Sequence, residues 1–212
     1  EVGCDISGLV FNGLASATAV LSDTEKELGV ILVDIGGGTM SVGVFIEGSL
    51  AYSSVIQVGA INVTKDLAAG LRVSLESAEK IKLFLSNNKV KEDELDLAPL
   101  HLPEELKNIS VKTVTEGIIR PRLNEMMQMI AGEIKKSGFG GLTPSGLVLT
   151  GGGSMTVSII DIAKKSLGMP VRVGSPSKIT GLIDDIQNPS FATAVGLLQY
   201  TQKLTADDFS PS

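Results

Sequence analysis

The feature that most constrains this chain is a pair of triple-glycine clusters, each placed directly after a predicted strand. An apolar run at residues 30–33 ends in Asp34 and is followed by the glycines at 36–38. A second apolar run, at residues 147–150, leads into the glycines at 151–153. Consecutive glycines between ordered segments predict a tight turn whose backbone another group approaches closely. Because two such units are unlikely to arise by chance in a chain of 212 residues, we expect them to form one site.

Each turn is suited to hold an anion, most often a phosphate. Backbone N–H groups exposed by a glycine turn form a concave nest for anions, and a cluster that opens a helix adds the favourable end of the helix dipole. In the first turn, Thr39 supplies a further donor and Asp34 is placed to hold Mg²⁺ through water. The second turn is expected to open a helix at Ser154, so it suits a phosphate or the flat face of a sugar or base. For one cluster alone, a turn that only packs backbone on backbone is the simpler alternative.

Several classes of site and partner are excluded. Neither cluster is followed by the Gly-Lys-Ser/Thr of a P-loop. The first cluster leads into a strand pattern rather than a helix, which excludes the dinucleotide-binding fingerprint. A net charge of −6 argues against nucleic acid as a partner. His101 is the only histidine, which rules out a Cys/His metal site, and the single cysteine, Cys4, fits a reducing cytoplasm.

The order of the predicted elements indicates the fold class. Alternating apolar residues predict strands, and apolar residues three and four apart predict helices. Three strands around the first glycine cluster form an antiparallel meander, whereas the later strands are single and follow long helices, which favours a mixed α/β sheet flanked by helices. We expect strands at residues 7–11, 30–33, 39–46, 50–58, 109–114, 147–150 and 171–173, and helices at 14–21, 60–71, 74–86, 115–136, 157–167 and 191–200.

Two of these elements carry further expectations. In the strand after the first cluster, Thr39, Ser41 and Gly43 share a small, polar face that suits a surface lining a polar ligand. Pro121 lies inside the helix at 115–136 and is expected to end a short first helix or to kink the long one. The methionines of that helix fall on its apolar face, so we interpret them as core residues rather than a binding surface.

The strand–glycine–strand hairpin with a distant glycine–helix unit resembles the actin-like ATPase superfamily. Residues 34–39 are similar to its second phosphate motif and residues 149–154 to its adenosine motif. Within the superfamily, the chain resembles the FtsA family of bacterial cell-division proteins. Only the second large domain of that family is covered, and the chain does not begin with Met, so we expect a fragment of a longer protein. The strings that carry the likeness are residues 14–17, 25–30, 74–82, 176–182 and 192–198.

The resemblance implies a fold and a domain division. The fold is α/β, with a mixed five-stranded sheet flanked by helices, as in half of an actin-like (ribonuclease H-like) ATPase, and with a small inserted α+β subdomain. Residues 1–58 and 114–204 would form the nucleotide-binding core, residues 59–113 the inserted subdomain and residues 205–212 a frayed tail.

The resemblance also implies ATP and Mg²⁺ as cofactors. Asp34 is the catalytic candidate and would reach the magnesium through water, while Glu79 and Lys82 would reach the ribose and base. Because Glu79 and Lys82 lie three residues apart on one helix face, an exposed ion pair is the alternative for them. The phosphates are expected to meet Gly36, Gly37, Gly38, Thr39 and Gly59, and the adenosine to meet Gly151, Gly152, Gly153 and Ser154.

The implied function is an ATP-binding cell-division scaffold. Members of the FtsA family form head-to-tail filaments. They bind the C-terminal tail of the tubulin-like protein FtsZ through the inserted subdomain and anchor it at the cytoplasmic face of the cell membrane, through segments absent from this chain. The alternatives are the pilus-assembly protein PilM and a sugar or acetate kinase of the same fold. Hydrolysis is left open, because Ser41 stands where many relatives have an acidic residue beside the metal.

Overall fold

The computed structural model describes residues 3, 6, 8–88, 93–177 and 186–202. The strands within these ranges are β1 (Val30–Ile35), β2 (Met40–Ile46), β3 (Ser49–Ile56), β4 (Glu94–Asp96), β5 (Asn108–Ser110), β6 (Leu147–Thr150) and β7 (Val171–Val173). Five of them form a sheet in the order β3-β2-β1-β6-β7, with antiparallel and parallel pairs. The other two, β4 and β5, pair antiparallel in a small second sheet. The predicted mixed five-stranded sheet is confirmed.

The predicted helices are present with small shifts at their ends. Those expected at residues 60–71, 74–86 and 191–200 are found to within one residue. The α-helices are α1 (Asn12–Val20), α2 (Asp23–Leu28), α3 (Ala60–Leu71), α4 (Leu75–Asn87), α5 (Val111–Val114), α6 (Arg120–Ser137), α7 (Ile159–Leu167) and α8 (Ala192–Thr201). Short 3₁₀ turns occur at Ala98–Leu100, Gly140–Leu142, Gly152–Met155 and Pro189–Phe191.

The central strand, β1, brings both glycine clusters to the same edge of the sheet. It pairs antiparallel with β2, which places Asp34 opposite Ser41, and parallel with β6, which places Asp34 opposite Thr150. Because parallel neighbours end at the same edge, the glycines at 36–38 and 151–153 leave the sheet side by side. In open α/β sheets, ligands bind outside these carboxyl ends.

Helices cover both faces of the sheet. On one face, Ile31 and Val33 join a large aliphatic core with residues of α3, α4, α6 and α7. On the other face, Val30, Leu32 and Phe45 pack with residues of α1 and α8. All of β1 is buried, as expected for a strand covered on both sides. The apolar stripe predicted for the long helix is confirmed, with Ile119, Leu123, Met126, Met127, Ile130 and Ile134 all buried.

The layer formed by α1 and α8 depends on small side chains. A Cβ at Gly196 would lie 1.8 Å from the carbonyl oxygen of Ala15, so only glycine fits at this helix–helix contact. Ala17, Ala19 and Ala192 are also buried in this layer. The two helices can therefore pack very closely against each other.

One predicted strand is wrong in its described residues, and a second is right only at its start. The described residues 8–11 are not in a strand, and α1 begins directly after them. A strand needs a neighbour to satisfy its backbone, and the outer strands of the main sheet are β3 and β7. In the segment predicted as a strand at 109–114, β5 ends at Ser110 and a helical turn follows. The Ser110 hydroxyl accepts a hydrogen bond of 3.0 Å from the N–H of Thr113, which is a helix cap.

The long helix changes its hydrogen-bonding pattern near the proline that was expected to interrupt it. A π-helical turn at Thr115–Ile119 precedes α6, and Pro121 lies in the first turn of α6. Proline has no N–H to donate, and the first turn of a helix is where that loss costs least. Pro121 therefore does not end the helix, which continues from Val111 to Ser137 with a change of hydrogen-bonding pattern just before the proline; a kink there stays a prediction.

Residues 59–113, predicted to be an inserted subdomain, contain α3, α4 and the small β4–β5 sheet. Their apolar side chains, including Leu67 and Ile81, belong to the same core as one face of the main sheet. The boundaries of the subdomain stay a prediction. The tail predicted at 205–212 lies outside the described residues.

Candidate functional site

The first glycine loop, residues 36–38, is closed by its own backbone and open on its outer side. The N–H of Gly36 donates to the carbonyl oxygen of Thr39 over 2.9 Å, which closes the turn between β1 and β2. No described atom lies within 4 Å of the place where a Cβ would stand at Gly37 or Gly38. The backbone of these two glycines is therefore accessible to a ligand.

The start of α3 rests on this loop. The N–H of Ala60 donates to the carbonyl oxygen of Gly36 over 2.9 Å. The N–H of Ile61 donates to the carbonyl oxygen of Gly37 over 2.8 Å. A Cβ at Gly59 would lie 2.4 Å from the Gly37 carbonyl oxygen, so the close contact requires glycine. Gly59 thus adjoins the loop, while its contact with a γ-phosphate stays a prediction.

The second glycine loop packs tightly against the end of β1. Gly151 has a φ of +79°, and a Cβ there would lie 2.3 Å from Oδ1 of Asp34. A Cβ at Gly153 would lie 2.3 Å from Cγ2 of Ile35. At Gly152 the nearest atom is 3.7 Å away, so only the middle glycine has open space beside it.

The helix expected to open at Ser154 begins later. A 3₁₀ turn spans Gly152–Met155, and α7 starts only at Ile159. The hydroxyl of Ser154 donates to the carbonyl oxygen of Gly151 over 2.7 Å, and its N–H bonds the same oxygen. These bonds between residues three apart tighten the chain into a 3₁₀ turn and delay the α-helix. Ser154 is buried and braces the loop from within.

The two loops open onto one cavity of about 420 Å³. The predicted site residues that line it are Gly37, Gly152, Gly153, Glu79 and Lys82. The remaining walls come from α3, α4, the 3₁₀ turn of the second loop and the segment before α8. None of these residues was singled out from the sequence. They are Ala60, Ile61, Leu83, Ser86, Asn87, Met155, Thr156, Asn188 and Ser190.

Lys82 is a buried cation at the wall of this cavity. Its side chain is 8% exposed, and its Nζ lies 2.8 Å from Oε2 of Glu79 and donates to Oγ1 of Thr64 over 3.0 Å. The Thr64 hydroxyl donates to Glu79 over 2.5 Å. Burial alone raises the pKa of Glu79, but the hydrogen bonds from Lys82 and Thr64 and the charge of Lys82 outweigh it and lower that pKa. Sequence reasoning missed Thr64, because nothing local links it to a helix 15 residues away.

Asp34 lies beside the second loop rather than on the wall of the cavity. It is 8% exposed, and its carboxylate accepts hydrogen bonds from the hydroxyls of Ser16 and Thr193. Ser41, opposite Asp34 on β2, is 5% exposed, and Gly43 is buried too. The strand face predicted to line a ligand is instead covered by the layer of α1 and α8. Small residues let a helix approach as closely as a ligand, so the pattern could not separate the two.

Within the described ranges, no group of three His, Cys, Asp or Glu residues is placed to hold a metal ion. A magnesium ion at this site would therefore depend on one carboxylate, water and the oxygens of the ligand itself, which is a common arrangement for Mg²⁺. No helix built from the described residues has the length and apolar character needed to cross a membrane.

Comparison with known proteins decides the family. The family model of cell division protein FtsA matches residues 31–196. This chain belongs to the FtsA family. The cell division proteins FtsA of Pseudomonas aeruginosa and Neisseria meningitidis serogroup B are 36% and 38% identical to it, over 99% and 92% of the chain. These matches cover 51% and 48% of those proteins, so the chain spans about half the length of the curated FtsA relatives that it matches.

Solved structures show that this FtsA chain has the actin-like fold. MreB5 of Spiroplasma citri bound to ADP matches with a TM-score of 0.69 and 17% identity, over 90% of the chain and 58% of that protein. Ethanolamine utilization protein EutJ from Carboxydothermus hydrogenoformans matches with a TM-score of 0.64 and 21% identity, over 93% of this chain and 56% of that protein. An archaeal actin homologue matches with a TM-score of 0.61 and 15% identity, over 91% of this chain and 55% of that protein. At these identities the likeness shows the fold alone, and the predicted actin-like fold is confirmed.

The FtsA match confirms the predicted family and makes this an actin-like cell-division protein. It favours that interpretation over the pilus-assembly and kinase alternatives. Of the strings that carried the resemblance, residues 74–82 hold the Glu79–Lys82 pair, and residues 192–198 lie in α8 beside Asp34. Residues 178–182 of the remaining string lie outside the described residues.

Proposed function

We propose that the cavity between the two glycine loops binds ATP with Mg²⁺ in this FtsA-family protein. The observation that carries the proposal is that Gly37, Gly152 and Gly153 meet at one cavity that also holds the Lys82–Glu79 pair. A volume of about 420 Å³ is in the range of small-molecule sites. The MreB5 structure that shares this fold is bound to ADP, which supports a nucleotide as the ligand class.

The residues around the cavity fit the parts of a nucleotide. Phosphate oxygens can approach the open backbone of Gly37 and Gly38, as in other anion-binding nests. Lys82 supplies a positive charge with three donors, and Glu79 supplies acceptors that suit ribose hydroxyls. The open space at Gly152 lets a flat sugar or base lie against the backbone.

Asp34 is the proposed partner of the Mg²⁺ ion, through water. It lies at the end of β1, and its Oδ1 faces the backbone of the second loop, so it is close to both glycine loops. A bound Mg²⁺ would neutralise charge on the phosphates. The protein would contribute the Asp34 carboxylate, held in a fixed position beside the loops.

We further propose that the complete protein is a filament-forming scaffold that links FtsZ to the cytoplasmic face of the membrane. Family membership supports this role. The C-terminal tail of FtsZ would bind within residues 59–113, and membrane contact would come from segments outside this chain. A tail peptide titrated into isotope-labelled protein should shift NMR resonances between residues 59 and 113. Shifts confined to other residues would refute the partner site.

Calorimetry with ATP and Mg²⁺ tests the nucleotide site. The 212-residue chain should bind ATP weakly, because it spans about half of its relatives and supplies one side of the phosphate clamp. The complete protein should bind more tightly. Micromolar affinity in the chain alone would show that no second half is needed. Absence of ATP binding by the complete protein would overturn the proposed function.

Slow hydrolysis is the proposed consequence of Ser41. Its place opposite Asp34 on β2 is one where a carboxylate would add a second acidic group near the metal. Replacing it by Ser41→Asp in the complete protein should raise the rate of ATP hydrolysis, measured as phosphate release. The uncharged Ser41→Asn variant is the matched control, since it makes a similar change in size. Equal rates in both variants would count against the idea.

A further inference from the structure

Asp34 is held by hydroxyl groups from two helices that are far apart in the sequence. Ser16 of α1 and Thr193 of α8 both donate to Oδ2 of Asp34, and the bond from Thr193 is 2.8 Å long. The two hydroxyl oxygens lie 2.9 Å from each other. Ser16 is fully buried, so these three side chains form one compact cluster between the sheet and the α1–α8 layer.

The cluster supplies Asp34 with donors but with no positive charge. Among the described residues, no lysine or arginine forms an ion pair with this carboxylate. A buried carboxylate needs hydrogen bonds, and bonds to an ionised acceptor are stronger than neutral ones. Each hydroxyl has a single proton to donate. Because both hydroxyls contact Oδ2, they fix the position of that oxygen, and Oδ1 receives no bond from a described residue.

Oδ1 lies against the second glycine loop. A Cβ at Gly151 would be 2.3 Å from it, so it touches the backbone of the second loop. One residue later, β1 ends at Ile35 and the first loop begins. The close contact of Gly196 with Ala15 sets the spacing of α1 and α8, and hence the distance between the two hydroxyls that hold Oδ2.

We propose that Ser16 and Thr193 are positioning residues that fix the Asp34 carboxylate so that Oδ1 can hold, through water, the Mg²⁺ of a bound nucleotide. This inference rests on the proposed function, because it takes Mg²⁺–ATP as the ligand of the cavity. Groups that hydrogen-bond to a metal-binding side chain orient it, and their loss typically weakens metal binding about 10- to 100-fold. Neither Ser16 nor Thr193 lines the cavity, so we expect them to act on a bound nucleotide through Asp34.

The test is the Mg²⁺ dependence of ATP binding by the complete protein, measured by calorimetry in EDTA and at increasing Mg²⁺ concentrations. In the Ser16→Ala and Thr193→Val variants, the Mg²⁺ concentration that gives half of the affinity gain should rise about tenfold. ATP affinity in EDTA should change less than about twofold, because the cavity walls are intact. The Thr193→Ser variant, which keeps the hydroxyl, should restore the wild-type Mg²⁺ dependence.

Matched controls come from the same two helices. Among the described residues, the Thr18 hydroxyl of α1 bonds the carbonyl oxygen of Leu14 alone, and the Thr201 hydroxyl of α8 bonds that of Leu198. Thr18→Val and Thr201→Val remove a hydroxyl from each helix without touching Asp34. Both should leave the Mg²⁺ dependence unchanged, even if they alter the melting temperature.

The possible results separate this inference from the proposed function. If Ser16→Ala and Thr193→Val weaken ATP binding equally with and without Mg²⁺, the two residues only support packing and the inference is wrong. If they match the control variants throughout, it is wrong as well. If the wild-type protein binds ATP with no dependence on Mg²⁺, or does not bind it, the proposed function itself fails.

Discussion

The two glycine loops share a sequence pattern but have opposite surroundings. At Gly37 and Gly38 no described atom lies within 4 Å of a Cβ position, whereas a Cβ at Gly151 or Gly153 would lie 2.3 Å from atoms of β1. The first loop is therefore open for a ligand. The second loop, which follows β6, mainly packs against β1, and only its middle glycine, Gly152, has open space beside its Cβ position. A triple glycine thus indicates that another group comes close to the backbone. Whether that group is a ligand or another part of the protein depends on the surrounding fold.

The largest effect is expected from Gly151→Ala. The substitution places a methyl group against the Asp34 carboxylate at a backbone conformation that side chains rarely adopt, with φ of +79° and ψ of 164°. The free energy of unfolding should fall by at least about 2 kcal/mol in urea denaturation. Gly152→Ala is the control, and it should cost less than about 1 kcal/mol, because its nearest neighbour is 3.7 Å away. If both variants lose the same free energy of unfolding, Gly151 and Gly152 do not differ in packing as described.

A change at the first loop should act on binding instead of stability. Gly37→Ala puts a methyl group where phosphate is proposed to approach, so ATP affinity should fall about tenfold, or about 1.4 kcal/mol, in calorimetry. Its unfolding free energy should change by less than about 1 kcal/mol, because the site is open.

Gly141→Ala is the matched control for this change. Gly141 also has no described atom within 4 Å of its Cβ position, but it lies outside the cavity. It should alter neither property. If Gly37→Ala destabilises the protein strongly and leaves ATP affinity intact, the first loop is a packing turn like the second.

The smallest effect concerns the wall between the loops. In Lys82→Met, Glu79 loses its cationic partner, so its pKa should rise from its lowered value, as measured by NMR titration. A lowered pKa in the folded state gives stability that is present above the ordinary value of 4.5 and is lost as the pH falls through the folded pKa. The wild type should therefore lose more stability than Lys82→Met below pH 4.5.

Lys80→Met is the control for this pair, since Lys80 bonds Glu76 at the exposed surface of the same helix. The pKa of Glu79 should not respond to it. If Lys82→Met also leaves that pKa unchanged, the ion pair between Lys82 and Glu79 does not form in solution.

Most of the fold could be predicted because its elements have strong local patterns. The long apolar runs of β1 and β6 and the spacing of Leu123, Met127 and Ile130 along α6 leave one choice of element. The errors occurred where local pattern is weak. Residues 8–11 are apolar but have no strand beside them, and the Ser110 cap turned the end of a predicted strand into a helical turn. Whether a segment has a neighbouring strand, or a side chain caps a helix, is decided only when the chain folds.

The residues that line the candidate site were predicted in part, but the residues that hydrogen-bond to them were not. The glycine clusters and the Glu79–Lys82 pair have sequence signals. The pair lines the cavity, and so do Gly37, Gly152 and Gly153. Thr64, Ser16 and Thr193 have none, because each contacts its partner only after distant segments fold together. The small polar residues beside Asp34 were misassigned to a ligand surface, since close packing by a helix produces the same pattern.

The nucleotide site is tested most directly by an ATP titration, with Mg²⁺, of the isotope-labelled complete protein followed by NMR. The largest shifts should occur at the amides of Gly37, Gly38 and Gly152 and at the Lys82 side chain, which adjoin one cavity or its open loop. The contrary result is that these signals stay in place while shifts gather elsewhere, for example around the separate cavity beside Lys135 and Ser166. That result would mean that the two glycine loops do not form a nucleotide site.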